Sequence, residues 1–261
     1  MTDKSSRPEA RIRQLYPQKQ WTKMGVVGLT VLSITVLLYA LFYPKRAVML
    51  SLQTTNRVIT DTITDRLVVT LNKNSVLYYP DIFSGSTKTV ILQKGEAFFN
   101  TKLNKDESFL ISVKNVLIKG ADNSCNIKIT GECIEIIAEH GTVQVSREAD
   151  IIKLAAGEKL SINYRTGWLK KEPNTDILYN YYRTNLFTIN NTPLWRIIAV
   201  LNEAYGFDII IANKKLANQP LTTTLKYGQL NNNLNIICQT LNAHVVKQKN
   251  KIIIKSGRIF L

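Results

Sequence analysis

The stretch Leu92–Asn100 reads LQKGEAFFN, and its Gly-Glu step returns in Ile152–Ile162, IKLAAGEKLSI. In both places the Gly-Glu pair separates two short apolar runs. Glycine supplies backbone freedom where a chain reverses, so Gly95 and Gly157 are expected in β-hairpins. The glutamate after each glycine is expected to face solvent, and one ring of the following Phe-Phe pair should point inward.

Similar short runs, rich in β-branched and aromatic residues, fill residues 48–162 and are separated by turn residues. Their spacing of about 8–12 residues is typical of an all-β roll or sandwich and leaves no room for crossover helices. The sequence therefore predicts an all-β domain over residues 48–168. The predicted strands are Leu67–Asn72, Ser75–Pro80, Lys88–Leu92, Ala97–Asn100, Phe109–Val113, Val116–Gly120, Cys125–Thr130, Cys133–Ile137 and Thr142–Ser146.

After Trp168 the pattern changes to that of a small α+β domain. Residues 169–176 are predicted to be a polar linker and residues 177–261 to form two strand–helix–strand units. Thr192 is the expected N-cap of the first helix, with Pro193 at its first position. The two helical stripes are Leu194, Ile197, Ile198 and Leu201, then Leu234, Ile237, Cys238 and Leu241, and the predicted strands are Asp208–Ile211, Val245–Lys247 and Lys251–Lys255.

The N-terminal part carries a candidate membrane span. Residues 24–44 contain no charged side chain and are long enough to cross a bilayer as a helix. A buried core helix would show a polar stripe, and a cleaved signal peptide would end in small residues rather than in ALFYPKR. The flanking side chains expected to anchor the span at the membrane interfaces are Trp21, Lys23, Tyr43, Lys45 and Arg46.

The distribution of basic residues predicts the orientation of this span. Residues 1–23 form a short basic arm that is expected to stay in the cytoplasm, because basic residues are retained on that side. The remainder of the chain is then expected to be exported. The net charge of +15 and pI near 9.7 do not indicate nucleic-acid binding, since no basic and aromatic residues interleave as a stacking platform requires.

The sequence predicts no enzyme and no catalytic, metal or cofactor site. The histidines, His140 and His244, have no serine and acid at a recognisable spacing, and the cysteines are not spaced like zinc ligands. Cys125 shares the alternating phase of a buried strand. A disulfide between Cys125 and Cys133 is an open alternative, although a tight hairpin would place Cys133 opposite Thr130.

Several segments resemble, in order, the FecR family of membrane-anchored sigma-factor regulators in its Bacteroidetes form. The resemblance runs over Leu50–Lys255. It is carried by RLVVTLNKNSVLYYPDIF (66–83), VILQKGEAFFNT (90–101), FLISVKNVLIKG (109–120), CNIKI (125–129), HGTVQVS (140–146), AAGEKLSINYRTG (155–167) and FTINNTPLWRIIAVLNEAYGFDI (187–209). The last segment is similar to the secretin and TonB short N-terminal domain.

This resemblance implies a single-pass protein of the bacterial inner membrane, with its N-terminus in the cytoplasm and its bulk in the periplasm. It also implies a signal relay that regulates iron or nutrient uptake. The exported part would engage the signalling domain of an outer-membrane TonB-dependent transducer, and the cytoplasmic part would control an extracytoplasmic-function (ECF) sigma factor. A sheet edge could accept a partner strand through main-chain hydrogen bonds. The candidate edge is Thr222, Thr223, Thr224, Leu225, Lys226 and Tyr227, and an ordinary paired strand is the simpler explanation of this segment.

The chain departs from the family pattern at two places. Relatives usually carry a larger helical domain before the span than residues 1–23 provide, and Ala121 stands where self-cleaving relatives have a threonine nucleophile. An envelope scaffold or binding module with the same exported domains and no sigma-factor control is therefore the alternative. A third hypothesis for the function is a glycan- or phosphate-binding module that uses the basic exported surface.

Overall fold

The computed structural model describes residues 18–42, 47–83, 87–102, 108–120, 122–248 and 251–257. The chain divides into two compact units, Met1–Arg46 and Ala47–Leu261. In the first unit, helix α1 spans Gln18–Phe42, and the side chains of residues 25–40 are exposed. Among the described residues, no helix has both the length and the apolar character needed to cross a membrane. The span over residues 24–44 stays a prediction.

Two of the predicted interface anchors, Trp21 and Lys23, lie within α1. Tyr43, Lys45 and Arg46 lie outside the described residues, as do residues 1–17 of the predicted arm. The anchoring roles of these five side chains stay predictions.

In the second unit, the described strands β1 to β14 form two sheets of seven. In chain order they are β1 Met49–Gln53, β2 Ile59–Thr64, β3 Leu67–Leu71, β4 Val76–Pro80, β5 Thr87–Lys94, β6 Glu96–Lys102, β7 Ser108–Val113, β8 Val116–Gly120, β9 Asp122–Thr130, β10 Cys133–His140, β11 Thr142–Arg147, β12 Asp150–Ala155, β13 Glu158–Asn163 and β14 Leu169–Pro173. Sheet 1 has the order β1-β4-β5-β7-β8-β11-β12, and sheet 2 the order β14-β13-β10-β9-β6-β3-β2. The two sheets form a sandwich, as the strand spacing predicted.

The two Gly-Glu steps connect the sheets, and the prediction that they are hairpins is wrong. Gly95 lies between β5 of sheet 1 and β6 of sheet 2, and Gly157 lies between β12 of sheet 1 and β13 of sheet 2. Both glycines have positive φ, +86° and +83°, a conformation that glycine adopts without steric cost. True hairpins join neighbours within one sheet, as β9 and β10 do.

The two glutamates that follow these glycines differ in their exposure to solvent. Glu158 is partly exposed, whereas Glu96 is only 4% exposed, so the expectation that both face solvent is wrong for Glu96. The aromatic pair behaves as predicted: Phe99 is fully buried in the sandwich, and Phe98 points to the opposite face of β6.

The sandwich is held together by apolar side chains from the facing sides of both sheets. Burying each large aliphatic or aromatic side chain stabilises the fold by about 1.5–3 kcal/mol relative to leaving it exposed. Members of this core are Leu67, Val69, Leu71, Leu77, Val90, Leu92, Phe99, Phe109, Ile111, Ile118, Cys125, Ile127, Ile134, Ile136, Leu154 and Leu160.

All nine strands predicted between Leu67 and Ser146 are present, with ends that differ by a few residues. The first part of the predicted linker, residues 169–176, is instead the edge strand β14, which pairs with β13. Its polar side chains are compatible with a strand because they face solvent at the sheet edge.

The C-terminal module, residues 178–256, combines short helices with two small sheets. Its elements are a 3-10 helix Leu178–Asn180, α2 Tyr181–Thr184, β15 Leu186–Pro193, α3 Leu194–Tyr205, β16 Asp208–Ile211, α4 Lys214–Ala217, β17 Pro220–Lys226, α5 Leu230–Thr240, β18 Ala243–Gln248 and β19 Lys251–Ser256. Strands β15 and β17 pair antiparallel, and β19 lies between β16 and β18. The mainly β and α+β character predicted from the sequence is confirmed.

Helix α3 shows why the stripe prediction holds and the N-cap prediction fails. The four predicted stripe residues of α3 are buried. The helix begins at Leu194 after Pro193, which is extended and provides no side-chain cap. Thr192 belongs to β15, and its hydroxyl donates to the carbonyl oxygen of Asn190 instead of capping the helix.

The three cysteines are free thiols, so the open disulfide alternative is not realised. Cys133 lies opposite Thr130 across the β9–β10 hairpin, as expected, and Cys125 lies opposite Ala138. Cys125 is a core residue of the sandwich.

Candidate functional site: the junction of sandwich and C-terminal module

The C-terminal module covers part of the outer face of sheet 2. Phe98 of β6 and Asn126 of β9 are register partners on this face. Phe98 packs against the apolar core of the module, and Asn126 is hydrogen bonded to it. We call the contact region the junction. It comprises Asn72, Glu96, Phe98, Asn126, Lys128 and Glu139 of the sandwich with Tyr179, Tyr181, Tyr182, Arg183 and Glu203 of the module.

Buried Glu96 is the centre of the junction. Its Oε2 accepts a hydrogen bond from Nδ2 of Asn72, and its Oε1 accepts one from Nδ2 of Asn126, both at 2.8 Å. The hydroxyl of Tyr182 donates to Oδ1 of Asn126 at 2.6 Å. Nδ2 of Asn72 also donates to the hydroxyl oxygen of Tyr181 at 3.3 Å. The carboxylate is thereby connected to both tyrosines of α2.

The donor and acceptor roles in this network are determined by the groups that contact the two asparagine side chains from outside. Oδ1 of Asn72 accepts the backbone N–H of Lys73 at 2.8 Å, and Oδ1 of Asn126 accepts the Tyr182 hydroxyl. Both amides must therefore present their NH2 groups to Glu96, which has to supply two acceptors. Buried polar networks in which each member has a partner specify one arrangement of the parts they connect.

Burial raises the pKa of Glu96 above its usual value of 4.5. The positive charge of Lys128 and the hydrogen bonds from Asn126 and Asn72 act in the opposite direction. The cause of the rise is the loss of water around the charged form. A buried carboxyl group with a shifted pKa, between two parts of a protein, is a candidate functional group.

Two charged contacts flank the network. Oε1 of Glu139, on β10, accepts hydrogen bonds from the Tyr179 hydroxyl at 2.9 Å and from the Arg183 guanidinium at 2.5 Å. Nζ of Lys128 pairs with Glu203 of α3 at 2.5 Å. Each contact joins sheet 2 to the module, so the module is held at several separate points.

Aromatic packing completes the junction. The Arg183 guanidinium lies 3.7 Å from the centre of the Phe98 ring, a cation–π contact. Tyr181 stacks on Phe187 with ring centres 5.0 Å apart, and the Tyr227 ring lies 5.3 Å from that of Tyr181. The module thus presents an aromatic cluster behind the polar network.

A cleft of about 590 Å³ opens beside Glu96, between the β3–β4 corner and the end of α3. Lys73 of this corner donates to the carbonyl oxygen of Ala204 at 3.4 Å, and its ammonium lies 5.2 Å from the Tyr227 ring centre. Neither histidine is among the residues that line the cleft. In the part of the chain that the structure describes, no group of three His, Cys, Asp or Glu residues could hold a metal ion. The arrangement is suited to fixing two structural parts together.

The predicted partner-strand edge is largely a strand. Residues 222–226 belong to β17, and Tyr227 follows it. Among the described strands, β17 pairs with β15 alone, so its other edge has no strand partner. Thr222 and Thr224 are exposed, whereas Leu225 is buried in the module core. A role of this edge in binding stays a prediction.

Sequence reasoning did not find the junction. The sequence pattern around Glu96 predicts exposure, because the segment that covers it, residues 178–184, lies far along the chain. A signal was present: Glu96 and Asn126 alternate with core residues of β6 and β9 and so point away from the sandwich core, and Asn72 directly follows β3. Buried polar side chains need hydrogen-bond partners, so polar residues at these positions are compatible with a second structural layer.

Comparisons with known proteins agree with this architecture. The family model described as "FecR protein" matches residues 52–144, and the model described as "FecR, C-terminal" matches residues 186–254. Together they cover more than half of the chain. A comparison with curated proteins found no match.

Two crystal structures of a candidate anti-sigma factor from Parabacteroides distasonis ATCC 8503, at 1.65 and 2.50 Å resolution, share the fold. Each aligns with a TM-score of 0.62 at 21% identity over 80% of this chain, and over 99% and 100% of the respective neighbour. At this identity the likeness concerns the fold alone. The two matching models follow each other in the order sandwich, then C-terminal module, and on this evidence the chain belongs to the FecR family.

Proposed function

We propose that the protein is a single-pass envelope regulator of the anti-sigma type. In this proposal residues 24–44 span the inner membrane, residues 1–23 are cytoplasmic and the second unit is periplasmic. The periplasmic part receives a signal from the signalling domain of a TonB-dependent outer-membrane transducer. The cytoplasmic part holds or releases an ECF sigma factor, and the protein catalyses no reaction.

The observation that carries the proposal is the ordered match of both FecR models on one chain. The neighbouring fold in Parabacteroides distasonis, described as a candidate anti-sigma factor, supports the same class of function. The uncharged stretch over residues 24–44 and the basic arm before it support the proposed anchoring and orientation.

The open edge of β17 supports a route for binding the transducer. Its main-chain groups on that side could pair with a strand of the signalling domain, which gives affinity without a deep pocket. β17 ends at Lys226, and Tyr227, which follows it, belongs to the aromatic cluster of the junction. A partner on β17 would therefore lie close to the contacts that hold the module on sheet 2.

Titration of the purified full chain with the signalling domain of a transducer encoded by a neighbouring gene tests binding at the β17 edge. Thr224→Glu adds a charge to the open edge of β17 and is expected to weaken binding at least several-fold. Thr62→Glu is the matched control, because Thr62 is an exposed threonine on β2, the edge strand of sheet 2. Absence of binding by the wild-type chain, or equal loss in both variants, would contradict the proposed route.

A further inference from the structure

The outer face of sheet 1 contains a row of side chains in register. Strand pairing brings together one outward residue from each of its seven strands: Ser51, Tyr78, Ile91, Ser112, Leu117, Ser146 and Ile151. Residues next to this row along the strands point into the sandwich core, as Ile118 and Ile152 show. The row therefore belongs to a single surface.

Two aliphatic residues stand out from this surface. Leu117 on β8 is 43% exposed and Ile151 on β12 is 64% exposed. One strand, β11, separates them, so their Cα atoms are about 10 Å apart. Ser146 lies between them in the register and leaves both side chains protruding. Exposed apolar side chains that share one face are typical of a contact surface.

The same strands carry positive charge next to these aliphatic residues. Lys119 and Lys153 lie two residues further along β8 and β12, and both pair in register with Gln144 of β11. Both are exposed, and neither ammonium has an ion-pair partner among the described residues. The outward positions of the described strands of sheet 1 contain no aspartate or glutamate. Within these strands, no acidic side chain on the same face neutralises Lys119 and Lys153.

We propose that this face, formed by Leu117, Lys119, Ile151 and Lys153, docks on the anionic head groups of a phospholipid bilayer. The inference rests on the membrane anchoring proposed above. The two aliphatic side chains would enter the interface while the lysines contact lipid phosphates. Basic residues beside exposed apolar ones give such surface binding, and its strength depends on anionic lipid.

The chemistry of this face favours a bilayer over a pocket-forming protein as the occupant. Lys119 and Lys153 are exposed and complement the negative charge of lipid phosphates. Leu117 and Ile151 protrude beside them on a face that runs across seven strands, which matches an extended lipid surface.

Lysine acylation of the full chain, reconstituted in phospholipid nanodiscs, tests the proposal. In discs containing phosphatidylglycerol, Lys119 and Lys153 should react several-fold more slowly with a water-soluble acylating reagent than in discs of phosphatidylcholine alone. Lys214 and Lys215, both exposed on α4 of the C-terminal module, are internal controls whose reactivity should not change. The double variant Leu117→Ser, Ile151→Ser should restore fast acylation of both patch lysines, and its exposed positions leave the core intact.

Equal reactivity of Lys119 and Lys153 in both kinds of disc would overturn the proposal. So would equal slowing of Lys214 and Lys215, which would indicate attraction by net charge alone. Protection that appears only when cell extract is added would assign the face to an acidic protein and also overturn it. The discs contain neither transducer nor sigma factor, so a chain that fails to insert would count against the proposed anchoring instead.

Discussion

Glu96 and Glu158 each follow a glycine at a corner between the two sheets, and their carboxylates lie in opposite environments. Burial raises the pKa of Glu96, whereas the hydrogen bonds from Lys171 and from the Ala155 N–H lower the pKa of Glu158. A raised pKa means that the folded state binds the proton more tightly than the unfolded state. The two residues therefore affect stability with opposite dependence on pH.

The difference in unfolding free energy between wild type and Glu96→Gln should fall as pH rises above 4.5. The stabilisation from the raised pKa is complete below the unfolded value and is lost as pH passes the folded one. For Glu158→Gln the corresponding difference should fall as pH decreases below 4.5, because the pKa is lowered. Urea denaturation across a pH series measures both, and parallel curves for the two variants would show that Glu96 is not buried as described.

Replacing either corner glycine by alanine should destabilise the sandwich, and Gly95→Ala should be the worse change. Both have positive φ, which costs an alanine about 1–2 kcal/mol. At Gly95 the new Cβ would also lie 2.6 Å from the backbone Cα of Ser75, whereas nothing lies within 4 Å at Gly157. Overpacking of this kind adds about 1–3 kcal/mol. Urea denaturation of the two variants checks this, and equal losses would mean that the corner at Gly95 is open.

The 3-10 helix and α2 provide contacts that hold the module on sheet 2. Tyr182→Phe should cost about 1–3 kcal/mol, because it leaves the buried Oδ1 of Asn126 without its donor. Tyr179→Phe is the matched control and should cost about 1 kcal/mol or less, since Glu139 keeps its contact with Arg183. Denaturant unfolding measures both. A loss in Tyr182→Phe no larger than in Tyr179→Phe would remove α2 from this role.

Elements with a strong local pattern were predictable from the sequence, and connections between layers were not. The alternation in Phe109–Val113 and the stripe of α3 determine their structures locally, so both predictions hold. A glycine between two strand patterns indicates a chain reversal but does not specify which sheet the next strand joins, so the hairpin prediction at Gly95 and Gly157 is wrong. Threonine is a favourable N-cap residue, but Thr192 pairs with Leu221 of β17 and therefore belongs to strand β15.

The burial of Glu96 could not be read from its own strand for the same reason. The covering side chains of Tyr181 and Tyr182 come from the C-terminal module, and the local alternation indicates only that Glu96 faces away from the sandwich core. The sequence gives one indication of a second layer: Asn126 points away from the sandwich core, as Glu96 does, and Asn72 follows the buried strand β3.

Because the junction connects them, the sandwich and the C-terminal module are predicted to unfold together. Two tryptophans report on the two parts: Trp168 precedes β14 of the sandwich, and Trp195 lies in α3 of the module. In the full chain with Trp21→Phe, the variants Trp195→Phe and Trp168→Phe leave one reporter each. Their urea transitions should coincide, since two-state behaviour makes different probes agree.

Arg183→Ala should separate these transitions, because it removes the contacts with Glu139 and the Phe98 ring together. Arg165→Ala is the control: it breaks an exposed ion pair with Glu132 within the sandwich and should leave the transitions coincident. Separate transitions in the wild-type chain would contradict the coupling assigned to the junction.

The proposed function of this FecR-family chain is to transmit an envelope signal to a sigma factor. The most direct test is sigma-dependent transcription, measured with and without inducer in cells that carry either the full chain or a chain lacking residues 2–21, with equal amounts of both proteins in the membrane. Loss of the arm is predicted to make transcription independent of the inducer, while the full chain keeps the response. Identical inducer-dependent transcription in both strains would contradict the claim and favour an envelope scaffold.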